Sequence, residues 1–354
     1  MNTYIKKFSN KKIIITGHTG FKGSWLTLIL TLFKANVVGV SKDVVGKKSL
    51  YGLCKINKIC KDFRCDIRNL DNIKKIIFDE KPDYIFHLAA QSLVSESISN
   101  PISTFETNTL GTANILESVR FLKKKCSVVI VTSDKCYKNN EWKRGYNEND
   151  VLGGDDPYSA SKATAELVFN SYFQTYFIHK QNINLATARA GNVIGGGDFS
   201  KNRIVPDIIN SWINKKKLII RSPKSTRPWQ HVFEPLRGYM DLALSLSSNK
   251  LKINGNNFNF GPIEKKDLNV EEVIKKISIH LGKIDYKTVP NKKFKESGLL
   301  KLNCRKAFKL IKWKPNIDYN QSIELTSEWY RAYNEKKNLL NFSINQIKNY
   351  FNIK

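Results

Sequence analysis

From Lys11 to about residue 187, short β-branched runs alternate with longer segments that read as helices. Ile13-Ile14-Ile15 predicts a strand, residues 22–34 a helix, and Asn36 to Val40 a second strand. There follow a helix near 71–79, a strand over Tyr84 to Leu88, a helix near 104–122 and a strand over Val128 to Thr132. Short apolar strands separated by helices predict a parallel sheet covered on both faces. In such sheets ligands sit beyond the carboxyl ends of the strands, where the strand order reverses. After about residue 188 the regularity falls. Gly195-Gly196-Gly197 marks a sharp loop, segments near 204–213, 234–247 and 270–281 read as helices, and the Lys-rich stretch 283–301 reads as surface loop and short strand. No repeat or low-complexity linker divides the chain. The expectation is an α/β domain over residues 8–187 and a smaller mixed α/β domain over 188–345, some segments of which return to the first.

Composition changes this picture little. An apolar share of 41% in 354 residues is enough for a full core. No apolar run approaches the roughly 20 residues of a membrane helix; the longest, Trp25 to Phe33, is interrupted by Thr27 and Thr31. Lys6 and Lys7 lead straight into a strand without a secretory pattern, so a cytoplasmic protein is expected. The cysteines at 54, 60, 65, 126, 136 and 304 have no metal or redox spacing, and no metal site is predicted. The net charge of +28 is spread through runs such as Lys123 to Lys125 and Lys215 to Lys217. Without interleaved aromatics it marks no nucleic-acid groove, although it would attract any small anion.

The first chemical signal follows the first strand: Gly17-His18-Thr19-Gly20-Phe21-Lys22-Gly23 opens a helix. Glycines at this spacing allow a tight turn, close approach of backbone to a pyrophosphate, and close packing of helix on strand. The helix N-terminus then offers N–H groups to the phosphates. Asp66-Ile67 lies beyond a third short strand, where a carboxylate can accept from an adenine amino group. The end of the second strand reads Gly39-Val40-Ser41-Lys42-Asp43. Asp43 can serve the ribose hydroxyls of NAD, while Ser41 and Lys42 would tolerate the 2′-phosphate of NADP.

The second signal is Tyr158-Ser159-Ala160-Ser161-Lys162. Positions i and i+4 share a helix face, so Lys162 stands beside Tyr158 and is expected to lower the phenol pKa toward that of a usable general base. Ser133, at the end of the strand over Val128 to Thr132, is placed to hold the oxygen that Tyr158 deprotonates. Asp134 and Lys135 follow it directly.

Gly17 to Gly23, Asn108 in Thr107-Asn108-Thr109-Leu110-Gly111-Thr112, Ser133 and the Tyr158/Lys162 pair together resemble the extended short-chain dehydrogenase/reductase family, whose fold is a Rossmann-type doubly wound parallel sheet. Several stretches are similar to its CDP-glucose 4,6-dehydratase branch: Gly17 to Leu26, Thr132 to Tyr137, Arg189 to Asp198 and Arg227 to Val232. The resemblance runs from about residue 8 to about 335. It implies cofactor contacts from Gly17, Thr19, Gly20, Phe21, Gly23, Asp43, Asp66, Ile67, Leu88, Ala89, Ala90, Asn108, Tyr158 and Lys162. His87 would line the cofactor from its strand end. Substrate contacts are implied for Asn192, Arg203, Arg227 and His231.

The Asp134-Lys135 pair carries the mechanistic weight. Epimerases of the family need only the Ser, Tyr and Lys. A 4,6-dehydratase also eliminates water across C5 and C6, which takes a base and an acid. The implied reaction is dehydration of CDP-glucose or a related sugar nucleotide through oxidation at C4, elimination, and hydride return to C6. Dehydration or epimerisation of another nucleotide sugar, or a non-catalytic dinucleotide-binding scaffold, are the alternatives. The family also implies a homodimer or higher homo-oligomer through the helices near 104–122 and 157–175.

Overall fold

Strands form where the β-branched runs lie: β1 (Lys12–Thr16), β2 (Asn36–Ser41), β3 (Lys61–Arg64), β4 (Tyr84–His87), β5 (Cys126–Val131) and β6 (Ile183–Ala190). The computed structural model describes residues 2–44, 46, 48–200, 202–248, 252–262, 268–289 and 299–353. A strand from the second half, Asn257–Phe260, adds to the edge beyond β6 and completes a seven-stranded sheet in which every neighbouring pair is parallel. From that edge the order is Asn257–Phe260, β6, β5, β4, β1, β2, β3. The chain therefore winds outward through β1, β2 and β3, then restarts on the other side of β1 with β4. This is a Rossmann-type doubly wound sheet, and its switch point lies between β1 and β4.

Alternation along the strands feeds two cores. Ile13, Ile15, Val129 and Val131 face one side with Trp25, Phe33, Leu236 and Tyr239. Ile14, Val38, Val128 and Ile130 face the other with Ile73, Ile115, Leu116 and Phe169. The helix Phe21–Leu32 buries Gly23 to Leu30 without a break, which suits a helix apolar on nearly every side.

The expected helix near 104–122 is three pieces. Pro101–Phe105 and Gly111–Arg120 are α-helical, and Glu106–Leu110 between them is a π-turn closed by the Gly111 N–H on the Glu106 carbonyl. Gly111 is needed there: a Cβ would lie 2.5 Å from the Ile67 side chain. The widened turn holds Asn108.

β6 runs on to Ala190, across the boundary expected at 187/188. The helices Ile204–Ile213, Phe233–Ser247 and Val270–Leu281 form as the periodicity predicts. Phe233–Ser247 packs against β5 and β6, and the last helix, Leu339–Phe351, packs on Phe21–Leu32. The chain ends also meet, with Tyr4 edge-on to Phe351 at 5.4 Å. Among the described residues, three two-stranded ladders finish the second half: Val193–Ile194 with Gln230–His231, Thr226–Arg227 with Leu268–Asn269, and Leu218–Ile220 with Tyr286–Thr288. Residues 290–298 of the Lys-rich stretch lie outside the described residues. The triple-glycine loop lets Trp329 close over it. A Cβ on Gly196 would fall 2.0 Å from that ring, and Trp25 Nε1 donates to the Gly196 carbonyl at 2.9 Å. Among the described residues, no helix is long and apolar enough to cross a membrane.

Candidate active site

The turn after β1 is built by its glycines to different degrees. Gly17 has φ +76°, and a Cβ there would stand 2.7 Å from the Ala89 amide nitrogen. On Gly23 it would stand 2.1 Å from the Gly17 carbonyl oxygen. Both positions exclude any side chain on packing alone. Gly20 is less constrained: its φ is −75°, and the nearest atom to a Cβ is the Gly17 oxygen at 3.3 Å. Gly20 is the N-cap of Phe21–Leu32 and has no side chain to satisfy the first-turn amides of Phe21, Lys22 and Gly23. Those N–H groups suit a diphosphate, so the turn fits the dinucleotide expected from sequence.

The flanking residues are arranged as follows. Thr19 N donates to Ser41 Oγ at 3.3 Å and Thr19 Oγ1 to the Asp43 carbonyl at 2.7 Å. Asp43 is exposed, and its main chain is what enters the turn. Asp66 stands beyond β3, but Arg68 grips its carboxylate through Nε at 3.0 Å and Nη2 at 2.8 Å and holds its pKa down. Ile67 is buried beside Gly111. Leu88, Ala89 and Ala90 follow β4 at partial exposure. Asn108 is occupied by protein partners. Its Oδ1 accepts from Gln91 N at 2.8 Å, and its Nδ2 donates to the Gln91 carbonyl at 2.9 Å and to Ser161 Oγ at 2.8 Å. It therefore fastens the loop after β4 to the helix Pro157–Tyr172. His87, expected to line the cofactor, is 2% exposed, with its ring nitrogens on Thr16 Oγ1 at 2.7 Å and Thr112 Oγ1 at 3.2 Å. Burial pushes its pKa down to about 3, so it is neutral.

Ser133, Asp134 and Lys135 follow β5, and Tyr158 and Lys162 come from the first turns of Pro157–Tyr172, capped by Asp156. The Tyr158 phenol lies beside the Ser133 side chain, which, against the larger effect of burial, draws its pKa down. Ser133 Oγ donates to Asp134 Oδ1 at 2.9 Å and accepts from Lys135 N at 3.2 Å. Asp134 is 6% exposed, and burial raises its pKa despite the opposing pull of Lys135 and Lys22. Gly191 keeps that carboxyl open, since a Cβ there would be 3.1 Å from Asp134 Oδ2.

Two results correct the sequence reading. Tyr158 is not lowered: burial carries its pKa up to about 12, against the downward effects of the Ser133 side chain and the Arg203 charge. Lys162 is itself pushed down to about 8 by burial. Desolvation outweighs the Arg203 cation at Tyr158 and the Glu166 carboxylate at Lys162. His231, expected to touch substrate, is wholly buried. Its ring packs on Phe233 at 4.4 Å, Nδ1 accepts from Phe233 N at 3.3 Å, Nε2 has no partner among the described residues, and its pKa is pushed to about 3. It belongs to the core behind the site.

Arg203 does reach the site. It precedes Ile204–Ile213, pairs with Asp198 at 3.3 Å, and its charge acts on Tyr158 and Lys22. Asn192 lies two residues past β6 at partial exposure, and its carbonyl accepts from Gln230 N at 3.1 Å. Arg227, half-buried, stands in the Thr226–Arg227 ladder.

The sequence reading missed Lys22 and Tyr239. Lys22 Nζ donates to the Tyr239 hydroxyl at 3.4 Å and feels the charges of Arg203, Asp134 and Lys162, while burial holds its pKa near 8. The fully buried Tyr239 in turn feels Tyr158 and Asp134. A lysine inside a glycine-rich phosphate turn was the available signal. His18 was also passed over. Its Nδ1 meets Ser41 Oγ at 2.9 Å and its Nε2 meets Asp62 Oδ1 at 3.1 Å, in space left by Gly39.

The chain is 40% identical over 352 residues to a CDP-glucose 4,6-dehydratase of Salmonella typhimurium, covering 97% of each protein. It is 28% identical to a dTDP-D-glucose 4,6-dehydratase of Dictyostelium discoideum, over 96% of this chain and 85% of the other. The fold matches that of a Streptomyces venezuelae dTDP-glucose 4,6-dehydratase determined with NAD bound, with TM-score 0.78, 22% identity, and coverage of 93% of this chain and 99% of that one. Residues 14–326 match the family described as GDP-mannose 4,6 dehydratase, and the chain belongs to that family.

Proposed function

We propose that the protein is an NAD-dependent CDP-glucose 4,6-dehydratase, which makes CDP-4-keto-6-deoxyglucose. The observation that carries this reading is the buried Asp134 carboxyl, held toward its protonated form beside Ser133, Lys135 and Tyr158. An enzyme that only interconverts alcohol and ketone has no use for that acid. The 40% identity to the Salmonella typhimurium CDP-glucose enzyme supports the substrate.

The residues divide the work. The glycine turn and first-turn amides of Phe21–Leu32 hold the diphosphate of NAD, with Asp66 and the loop Leu88 to Ala90 along its length. NAD supplies the hydride acceptor at C4 and the hydride donor for C6. Ser133 holds the C4 oxygen while Tyr158 takes its proton, and Lys162 stabilises the phenolate. The 4-keto group acidifies C5, Lys135 removes that proton or stabilises the enolate, and Asp134 protonates the departing C6 hydroxyl. Asn192, Arg203 and Arg227 hold the nucleotide diphosphate, a task suited to the guanidinium fork. The sugar nucleotide lies between the carboxyl edge of the sheet and the segments after residue 190.

Ile102, Leu110 and Leu167 are 71%, 57% and 56% exposed. They lie on mutually packed elements, and a second copy of the chain would cover them. Free cysteines throughout suit a cytoplasmic, reducing setting.

The test is to incubate purified protein with CDP-, dTDP-, GDP- and UDP-glucose and follow loss of one water by mass spectrometry. Water loss from CDP-glucose above the others is expected. Epimerised sugar with no water loss would overturn the reading.

A further inference from the structure

The catalytic groups sit on two elements that must keep register, and both are tied to one buried anion. Glu166 lies one helical turn beyond Lys162 and two beyond Tyr158, and is 0% exposed. Its Oε1 accepts from Thr132 Oγ1, the residue before Ser133, and from Arg189 Nε at 2.9 Å. Its Oε2 accepts from Arg189 Nη2 at 2.9 Å, Thr187 Oγ1 at 2.9 Å and Asn257 Nδ2 at 2.7 Å. The carboxylate thus joins the Tyr158/Lys162 helix to β5, β6 and the edge strand. Arg189 extends the tie by donating to the Tyr137 hydroxyl at 2.8 Å, just past the Asp134–Cys136 turn. A buried carboxylate with five donors leaves little freedom for any of these elements.

We propose that Glu166 is a positioning residue for this reaction: it sets the register of Tyr158 and Lys162 against Ser133 to Lys135, and its fixed charge keeps Lys162 cationic.

The groups around Lys162 make the second part specific. Its own helix supplies Tyr158 and Glu166. The turn after β5 supplies Cys136, β4 supplies His87, and the glycine-turn helix supplies Lys22. Arg203 lies beyond Lys22, and Arg189 lies behind Glu166. Burial keeps Cys136 a thiol and favours protonated Asp134, whereas the Arg189 pair keeps Glu166 ionised. Glu166 is therefore the standing anion that opposes the desolvation of Lys162.

The inference rests on the catalytic roles proposed above for Tyr158 and Lys162, and its readout is C4 oxidation, followed as substrate-dependent reduction of bound cofactor. Dehydratases and epimerases share that step, so normal cofactor reduction without water loss would count against the dehydratase reading and leave the test of Glu166 intact. Glu166→Gln is expected to move the alkaline limb of the pH profile down by about one unit and to lower the rate more than it raises KM. Glu166→Asp, which retains the charge, should keep the limb in place at a reduced rate. If Glu166→Gln does not fold, Glu166→Gln/Arg189→Met removes both buried charges together and should show the same shift. A profile lowered evenly at every pH, with an unmoved limb in the folded variant, would overturn the proposal.

Discussion

The two sides of the site are built differently. Toward β1 to β5, the glycine turn and the proposed catalytic groups stand at strand ends or in the opening turns of a long helix. The Gly17–Gly23 turn follows β1, Ser133 to Lys135 follow β5, and Tyr158 and Lys162 open a capped sixteen-residue helix. Beyond residue 190, Asn192, Arg203, Arg227 and His231 hang on two-residue strands, a helix start and loops. A parallel sheet dictates which end of a strand faces the ligand, so position along the first region translates into position in space. In the second region nothing periodic does so. Residue type was the guide there: the structure sets the Arg203 charge against Tyr158 and Lys22, and buries His231 in the core.

The sharpest way to break this comparison is at Tyr158. If the strand-end group is the chemical centre, Tyr158→Phe should reduce cofactor reduction and water loss together by about 10³-fold. Asp134→Asn should still oxidise C4 and should accumulate reduced cofactor, visible by its absorbance. Reduction that survives Tyr158→Phe would remove the phenol from the first step.

Within the glycine turn, the effects should split by geometry. Gly23→Ala forces a Cβ to 2.1 Å from a backbone oxygen, and should lower unfolding stability by about 1–3 kcal/mol. Gly20→Ala meets only a 3.3 Å approach, so it should fold normally yet retain less NAD, measured as nucleotide released on denaturation. Equal melting behaviour of the two variants would show that the glycines are not graded in this way.

The second region gives a smaller contrast. Arg203→Met should raise KM for the sugar nucleotide about tenfold, the loss of one charge-assisted phosphate contact. His231→Leu should leave KM within about twofold, because its ring points into the core. A large KM change in His231→Leu with a small one in Arg203→Met would reverse the assignment made here.

Much of the architecture was legible because β-branched runs and helical periodicity agree with each other through residue 190. What escaped has physical reasons. The π-turn at Glu106–Leu110 hides inside an unbroken helical pattern, since one widened turn barely alters apolar spacing. The edge strand Asn257–Phe260 is four residues long and carries two asparagines, so its apolar content does not reveal a sheet position. Its Asn259 is wholly buried, accepting from the Tyr137 hydroxyl and donating to the Tyr146 carbonyl. The Tyr158 pKa was misjudged because i,i+4 spacing reports the neighbour but not the depth of burial. Lys22 was visible as a residue, but its reach to Tyr239 crosses 217 positions.

The mildest effect concerns the two histidines, one from each region. Both are buried and neutral, their pKa values pushed from 6.5 to about 3 by desolvation. The sign follows from proton counting. Below 6.5 the unfolded chain binds protons that the folded histidines refuse, so each contributes stability that is complete above 6.5 and lost as pH falls from there toward 3. The slope approaches about 1.4 kcal/mol per pH unit for each group. Urea unfolding of wild type, His87→Leu and His231→Leu across that window separates the two sites. His87→Leu gives up two hydroxyl partners and should be the less stable variant at neutral pH. His231→Leu removes one acceptor and an Nε2 that has no partner among the described residues, and should lie nearer wild type. Acidification should then move both variants upward relative to wild type by similar amounts, since burial is the largest cause at both, with the Lys162 charge adding to it at His87. A variant whose gap to wild type stays flat with pH would show that its histidine takes up a proton without unfolding, and that the region around it admits water.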